Sequence, residues 1–137
     1  MRNTILFIIL ALSVQFKTSA QSNLYSLEIQ IIGLKSNNGT VLFQLSNNEN
    51  ELISKKSLKI INKQCVFIIN NLKSGKYSII YFHDENENEK LDTNWLGIPR
   101  EGYGFSNNAS SKFGPPPIKD RLFDINKNIK IILTINY

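Results

Sequence analysis

A short acidic segment, residues 84–92, carries the residue types best suited to holding a metal ion. Oxygen-bearing side chains recur at alternate positions along it, in the order Asp84-Glu85-Asn86-Glu87-Asn88-Glu89-Lys90-Leu91-Asp92. Hard cations such as Ca²⁺ take roughly six to eight oxygen ligands from carboxylates, amides and backbone carbonyls in a flexible cage. The spacing therefore predicts a calcium-binding loop.

Calcium loops of the helix–loop–helix type draw ligands from alternate positions, the seventh through its backbone carbonyl. Counted from the first aspartate, the predicted ligands are the side chains of Asp84, Asn86, Asn88 and Asp92 and the carbonyl of Lys90. Two positions depart from that pattern, because Glu89 replaces the sixth-position glycine and Trp95 replaces the closing glutamate. We therefore expect weak affinity, with a Kd on the order of 10⁻⁴–10⁻³ M. A solvated acidic turn held by Asn and Asp hydrogen bonds is the alternative.

A secreted hydrolase is the alternative function. His83, the only histidine, directly precedes the loop, and a nucleophilic mechanism would require a base of this kind within reach of a hydroxyl. The candidate hydroxyls are those of Ser106, Ser110 and Ser111. Glycoside hydrolysis would instead require a pair of carboxyl groups, drawn from Asp84, Asp92, Glu101 and Asp120. No Gly-x-Ser-x-Gly elbow is present, and nothing fixes the separation of these acids. We therefore expect a non-catalytic module with a binding or accessory role in the cell envelope.

Three aromatic residues follow the acidic loop within a stretch that has no hydrophobic periodicity. Trp95, Tyr103 and Phe105 lie among the glycines and prolines of residues 95–120. A connection of this length inside a small domain is commonly functional or internally packed. The three rings are therefore candidates for stacking on a sugar or a peptide of the cell envelope, or for covering one end of the fold.

The first twenty residues have the order of an export signal. Arg2 is followed by an almost entirely apolar run, residues 5–14, and then by Thr18-Ser19-Ala20, as a secretory signal requires. We expect cleavage after Ala20, leaving residues 21–137 as one exported domain, periplasmic or extracellular, monomeric and without a membrane span.

Lysines outside the loop are scattered, so the formal charge of +5 does not indicate a nucleic-acid partner. Cys65, the only cysteine, is expected to be a buried, unreactive thiol.

Short β-strands separated by turns account for most of the predicted domain. The pattern predicts strands at residues 24–32, 40–45, 58–61, 65–69, 77–83, 122–125 and 129–137. Asn37-Asn38-Gly39 predicts a hairpin between the first two strands, and residues 47–56 are predicted as a polar loop. Tyr77, after a leucine and a glycine turn, is similar to a tyrosine corner. We expect an all-β fold, a single β-sandwich of about seven strands with immunoglobulin-like or prealbumin-like Greek-key topology; a small barrel is the alternative.

Several distinctive stretches carry a family resemblance: residues 83–94, 96–99, 101–108 and 113–116. In these stretches the chain resembles an uncharacterised family of exported bacterial proteins, domain of unknown function family 2141. The resemblance extends over essentially all of residues 21–137, and it implies a signal peptide followed by one β-sandwich domain with no established activity. It also implies a glycine near position 87 or 89, where this chain has Glu87 and Glu89.

Overall fold

The computed structural model describes residues 23–111 and 114–137. Within these ranges eight strands form: β1 (Leu24–Ile32), β2 (Thr40–Asn47), β3 (Leu52–Lys59), β4 (Cys65–Lys73), β5 (Gly75–Asp84), β6 (Tyr103–Phe105), β7 (Phe123–Ile125) and β8 (Ile129–Thr134). Two single helical turns, a 3₁₀ turn at Ser106–Asn108 and α1 (Ile118–Arg121), separate β6 from β7. The all-β sandwich prediction is confirmed, with eight strands instead of about seven. The predicted signal segment and Phe113 lie outside the described residues.

The strands form two sheets that enclose one hydrophobic core. In the smaller sheet β1 lies between β4, to which it is antiparallel, and β8, to which it is parallel. The larger sheet has the order β3-β2-β5-β6, and β7 also pairs with β5. Leu27, Ile29 and Ile31 alternate along β1 and are fully buried, because successive strand residues point to opposite faces. The rings of Phe43 in β2 and Phe67 in β4 pack edge to face across the core, with their centroids 4.9 Å apart. Among the described residues no helix is long and apolar enough to cross a membrane.

The predicted tyrosine corner is present at the start of β5. Tyr77 is buried, and its hydroxyl donates a hydrogen bond to the carbonyl of Lys73 at 2.8 Å. A hydroxyl that bonds to backbone a few residues upstream is the defining contact of this corner. It fixes the crossing from β4 in one sheet to β5 in the other.

The predicted hairpin between the first two strands is wrong. β1 and β2 lie in different sheets, so the turn at residues 37–39 crosses from one layer to the other. A type I′ hairpin turn needs positive φ at both central residues, whereas in this turn only Gly39 has it, at 73°. The local sequence indicated a change of chain direction at residues 37–39, where the chain bends, but it did not determine the partners of the strands on either side.

The predicted polar loop at residues 47–56 is wrong in its second half, because residues 52–56 belong to β3. Of the strand predicted at residues 58–61, only residues 58 and 59 lie in β3. This strand lies at the edge of the larger sheet and is paired only with β2, so most of its side chains are exposed. Lys55 and Lys56 in the middle of β3 are typical of edge strands, where charge prevents further strand addition. Such a strand lacks the apolar alternation by which half-buried strands are recognised.

Candidate functional site

The acidic loop rests on a buried polar base at one end of the larger sheet. His83 and Asp84 end β5, and Glu101 stands two residues before β6 begins. The three residues are 0%, 1% and 5% exposed, respectively. The backbone N–H of His83 donates to the carbonyl of Gly102 at 2.7 Å. The whole segment 85–102 is therefore one long connection between two paired strands.

Asp84 organises the first half of this connection. Its Oδ1 accepts a hydrogen bond from the backbone N–H of Asn88 at 3.1 Å, and its Oδ2 accepts one from that of Glu89 at 2.8 Å. The chain curls around the carboxylate because Glu87 and Glu89 adopt left-handed conformations, with φ of 58° and 61°. Glycine is the residue that favours this conformation, so this chain holds two glutamates where the backbone suits glycine.

The remaining predicted ligands converge on Asp92. The side-chain amide of Asn86 donates to Oδ2 of Asp92 at 2.7 Å, and that of Asn88 donates to Oδ1 at 3.1 Å. The amide oxygens accept backbone N–H bonds, Asn86 from Asn88 at 3.2 Å and Asn88 from Lys90 at 2.8 Å. All five predicted ligand residues thus belong to one hydrogen-bond network, Lys90 through its N–H.

Both oxygen atoms and amide N–H groups take part in this network. Amide hydrogens lie against both oxygens of Asp92, where a cation would otherwise bind. Within the described ranges no group of three or more His, Cys, Asp or Glu side chains is arranged to hold a metal. A cation at this loop would consequently depend on amide and backbone oxygens in addition to carboxylates, which is the chemistry of Ca²⁺ and not of Zn²⁺.

Glu101 has a structural role at this site that the sequence pattern did not indicate. Its Oε1 accepts the backbone N–H of Glu85 and its Oε2 accepts that of Asp92, both at 2.9 Å. One buried carboxylate therefore closes both ends of the acidic loop. This role could have been predicted only by recognising that Glu101 comes just before a strand that pairs with β5. That strand, β6, is only three residues long and was not predicted.

His83 is held in a fully satisfied environment. Its Nε2 lies 2.7 Å from the carbonyl of Asn38, and a carbonyl only accepts, which assigns a proton to Nε2. In the neutral ring Nδ1 then accepts from the hydroxyl of Tyr137 at 2.7 Å. That hydroxyl in turn accepts the backbone N–H of Lys35 at 3.0 Å. Both ring nitrogens are engaged and the side chain is fully buried, so His83 ties the C-terminus to the base of the loop.

Ser106 lies away from His83. Its hydroxyl accepts the backbone N–H of Ile79 at 2.9 Å and donates to the carbonyl of Arg121. Ile79 precedes His83 by four residues in β5, which corresponds to about 13 Å along a strand. Ser106 therefore cannot form the hydrogen-bonded pair with His83 that nucleophilic catalysis requires.

Trp95 lies at the tip of a small turn, residues 93–99, that follows the acidic loop. Its side chain is 90% exposed, and those of Leu96 and Ile98 are 60% and 54% exposed. Asn94 closes the turn, because its side-chain oxygen accepts the N–H groups of Leu96 at 2.9 Å and Ile98 at 3.0 Å. Thr93 and Pro99 pair at its base. We call residues 95–98 the apolar tip.

Tyr103 and Phe105 lie elsewhere, along a groove of about 470 Å³ whose lining does not include Trp95. The two rings are edge to face with their centroids 6.1 Å apart. The groove lining also includes neutral polar residues, among them Asn108, Ser110, Thr134 and Asn136. The guanidinium of Arg121 lies 5.4 Å from the centre of the Phe105 ring. The three predicted ligand-binding aromatics are therefore distributed between a groove and a separate protruding turn.

The fold and the site define a class of small two-sheet β-proteins in which the long connection between β5 and β6 is built on buried carboxylates. The chain belongs to the family DUF2141, described as an uncharacterized protein conserved in bacteria, whose family model matches residues 29–132. The matched range includes the acidic loop, the apolar tip and the groove aromatics. No curated protein and no solved structure matches the chain.

Proposed function

We propose that this chain is an exported, non-catalytic binding module of the bacterial cell envelope, and that residues 84–92 take up Ca²⁺ weakly. The observation that carries the calcium proposal is the convergence of Asn86 and Asn88 on the carboxylate of Asp92. Side chains that splayed into solvent would have to be ordered before they could share an ion. Here hydrogen bonds within the loop already bring these side chains together, which lowers that ordering cost.

The same contacts explain why the proposed affinity is weak. Asp84 already accepts two backbone N–H bonds, and Asp92 accepts two amide bonds. For Ca²⁺ to bind, the amides of Asn86 and Asn88 must turn so that oxygen replaces nitrogen, which breaks the present hydrogen bonds. These costs oppose the attraction of the carboxylates and support a Kd on the order of 10⁻⁴–10⁻³ M, the range of extracellular calcium modules.

The hydrogen bonding of His83 and Ser106 supports a non-catalytic role. A general base needs a free nitrogen within reach of the proton that it removes, and both nitrogens of His83 are engaged inside the protein. Two of the four candidate acids, Asp84 and Glu101, are likewise occupied by backbone N–H groups. The hydrolase alternative would therefore require extensive rearrangement of the loop base.

The groove that contains Tyr103 and Phe105 supports the ligand part of the proposal, a glycan or a peptide of the envelope. Its volume falls in the range of small-molecule sites, and its aromatic and neutral polar lining suits an uncharged ligand. Tyr103→Ala should reduce retention of the chain on immobilised envelope glycan or peptide. Ile132→Ala, a change at an exposed residue of β8, should not.

Thermal unfolding in the presence of Ca²⁺ tests the calcium proposal. At 10 mM Ca²⁺ the expected Kd range corresponds to about 1.4–2.7 kcal/mol of added stability relative to EDTA. Asp92→Asn should remove most of this gain, whereas Asp124→Asn, at an exposed acid in β7, should retain it. NaCl at matched ionic strength controls for screening. Equal melting temperatures in Ca²⁺ and EDTA would refute calcium uptake.

A further inference from the structure

The apolar tip exposes more hydrophobic surface than its local fold requires. Trp95 is the only tryptophan of the chain, and it is 90% exposed although tryptophan is on average a highly buried residue. Leu96 and Ile98 extend the same surface. Tryptophan is also among the residues enriched at the energetic centres of protein–protein interfaces. The tip thus has the composition of an interface anchor.

The tip is held in one conformation before any partner arrives. Asn94 receives two backbone N–H bonds through its side chain, and its own N–H donates to the carbonyl of Ile98 at 2.8 Å. Gly97 supplies the positive φ, 78°, that closes the turn, and the N–H of Arg100 donates to the carbonyl of Asp92 at 2.8 Å. A preorganised anchor loses little conformational entropy on binding.

Negative charge accompanies this anchor. Residues 84–101 contain six acids, against Lys90 and Arg100, for a formal charge of −4 in a chain whose total is +5. Glu85, Glu87 and Glu89 are exposed, and Trp95 lies six positions after Glu89 in the chain, a distance of at most about 20 Å. Glu101 fastens the segment at Glu85 and Asp92. The apolar tip therefore lies in an acidic segment that hydrogen bonds to Glu101 hold in place.

We propose that the apolar tip docks into an apolar pocket bordered by lysine or arginine side chains on a partner protein. Trp95 is 90% exposed at the end of this turn, so the partner must supply the apolar surface that covers it, and the glutamates complement a cationic rim. The same glutamates oppose approach to anionic membrane surfaces and to nucleic acids. This inference rests on the proposed binding role of the chain and does not require calcium uptake.

Fluorescence of Trp95 reports directly on the proposed docking, since no other tryptophan contributes. The probes are a leucine–lysine amphipathic peptide and a matched leucine–glutamate peptide, each titrated into the full chain in EDTA. The leucine–lysine peptide should shift the emission to shorter wavelength and saturate, and the leucine–glutamate peptide should not. Leu96→Ala should weaken binding by about tenfold, whereas Ile132→Ala, at an exposed site on β8, should leave it unchanged.

Electrostatic attraction alone is separated from docking by a triple variant, in which Glu85, Glu87 and Glu89 are changed to glutamine. It should weaken binding and flatten its salt dependence while the emission shift at saturation persists. Three results would overturn the proposal: a shift with phosphatidylglycerol vesicles but not with the peptide, a Trp95-dependent dimer in sedimentation equilibrium, or no response to any probe. Because EDTA is present throughout, failure of calcium uptake leaves these outcomes unaffected.

Discussion

Glu101→Gln tests whether one buried carboxylate holds the acidic loop to the sandwich. The change keeps the size of the side chain but replaces one acceptor oxygen by an N–H₂ group. Of the two backbone N–H groups that Glu101 now receives, from Glu85 and Asp92, one would retain a neutral acceptor. The other would face a donor, so that one hydrogen bond is lost outright and the other loses its charge assistance.

The expected loss of stability follows from these two bonds. Hydrogen bonds to a charged group contribute roughly 1.5–3 kcal/mol each, against roughly 0.5–1.5 kcal/mol for neutral ones. Because both N–H donors lie on partly exposed residues and water can replace part of the interaction, we expect about 2 kcal/mol. For a domain of this size that loss corresponds to a fall of roughly 6–10 °C in the melting temperature.

Urea unfolding of Glu101→Gln beside Glu87→Gln measures this effect. Glu87 lies in the same loop and loses the same charge, but its side chain is exposed, so its substitution should stay within about 0.5 kcal/mol of the parent. The dependence of unfolding free energy on urea should be the same in all three proteins. Equal midpoints for the two variants would refute the role assigned to Glu101.

Three further predictions concern backbone conformation and thiol chemistry. Glu89→Gly should raise stability by up to about 1 kcal/mol, because glycine suits the φ of 61° at this position; a lower urea midpoint would contradict this. Gly39→Ala should lower the melting temperature strongly, since an added Cβ would lie 2.1 Å from the carbonyl oxygen of Asp84. Burial raises the pKa of Cys65 from 9.0 to about 11, so its alkylation at pH 8 should be about a hundredfold slower in the folded than in the urea-unfolded chain. The unfolded chain releases this proton at lower pH, so stability should also fall as pH rises from about 9 to about 11.

The parts of the fold that the sequence predicted well are those where burial is one-sided. β1 was predicted with its observed bounds, because Leu27, Ile29 and Ile31 alternate with more polar neighbours and the core takes every second side chain. Most of β3 was missed, and only its last two residues fall in the strand predicted at residues 58–61, because an edge strand with both faces largely exposed is under no such constraint. The pairing of β1 with β8 depends on residues about a hundred positions apart, which no local pattern encodes.

In the candidate site, too, local contacts were predictable from the sequence and long-range contacts were not. The loop from Asp84 to Asp92 was predicted from local spacing, and its internal hydrogen bonds span at most six residues. The contacts that fix it to the protein are long-range, from Glu101 to Glu85 and from Tyr137 to His83. Sequence spacing therefore identified the side chains that face one another within the loop, and it could not identify the buried groups that determine where the loop points.

The two proposals made for this end of the molecule act on the same charges, and their coupling has a definite sign. Asp84 and Glu101 are engaged by backbone N–H groups, so the exposed negative charge available to a cationic partner comes mainly from Glu85, Glu87 and Glu89. A bound Ca²⁺ at Asp92 would add two positive charges beside these glutamates and weaken their attraction for a lysine-rimmed pocket. By thermodynamic reciprocity the partner would lower the affinity for Ca²⁺ by the same factor. Calcium at this loop would thus oppose docking of the apolar tip on a cationic protein.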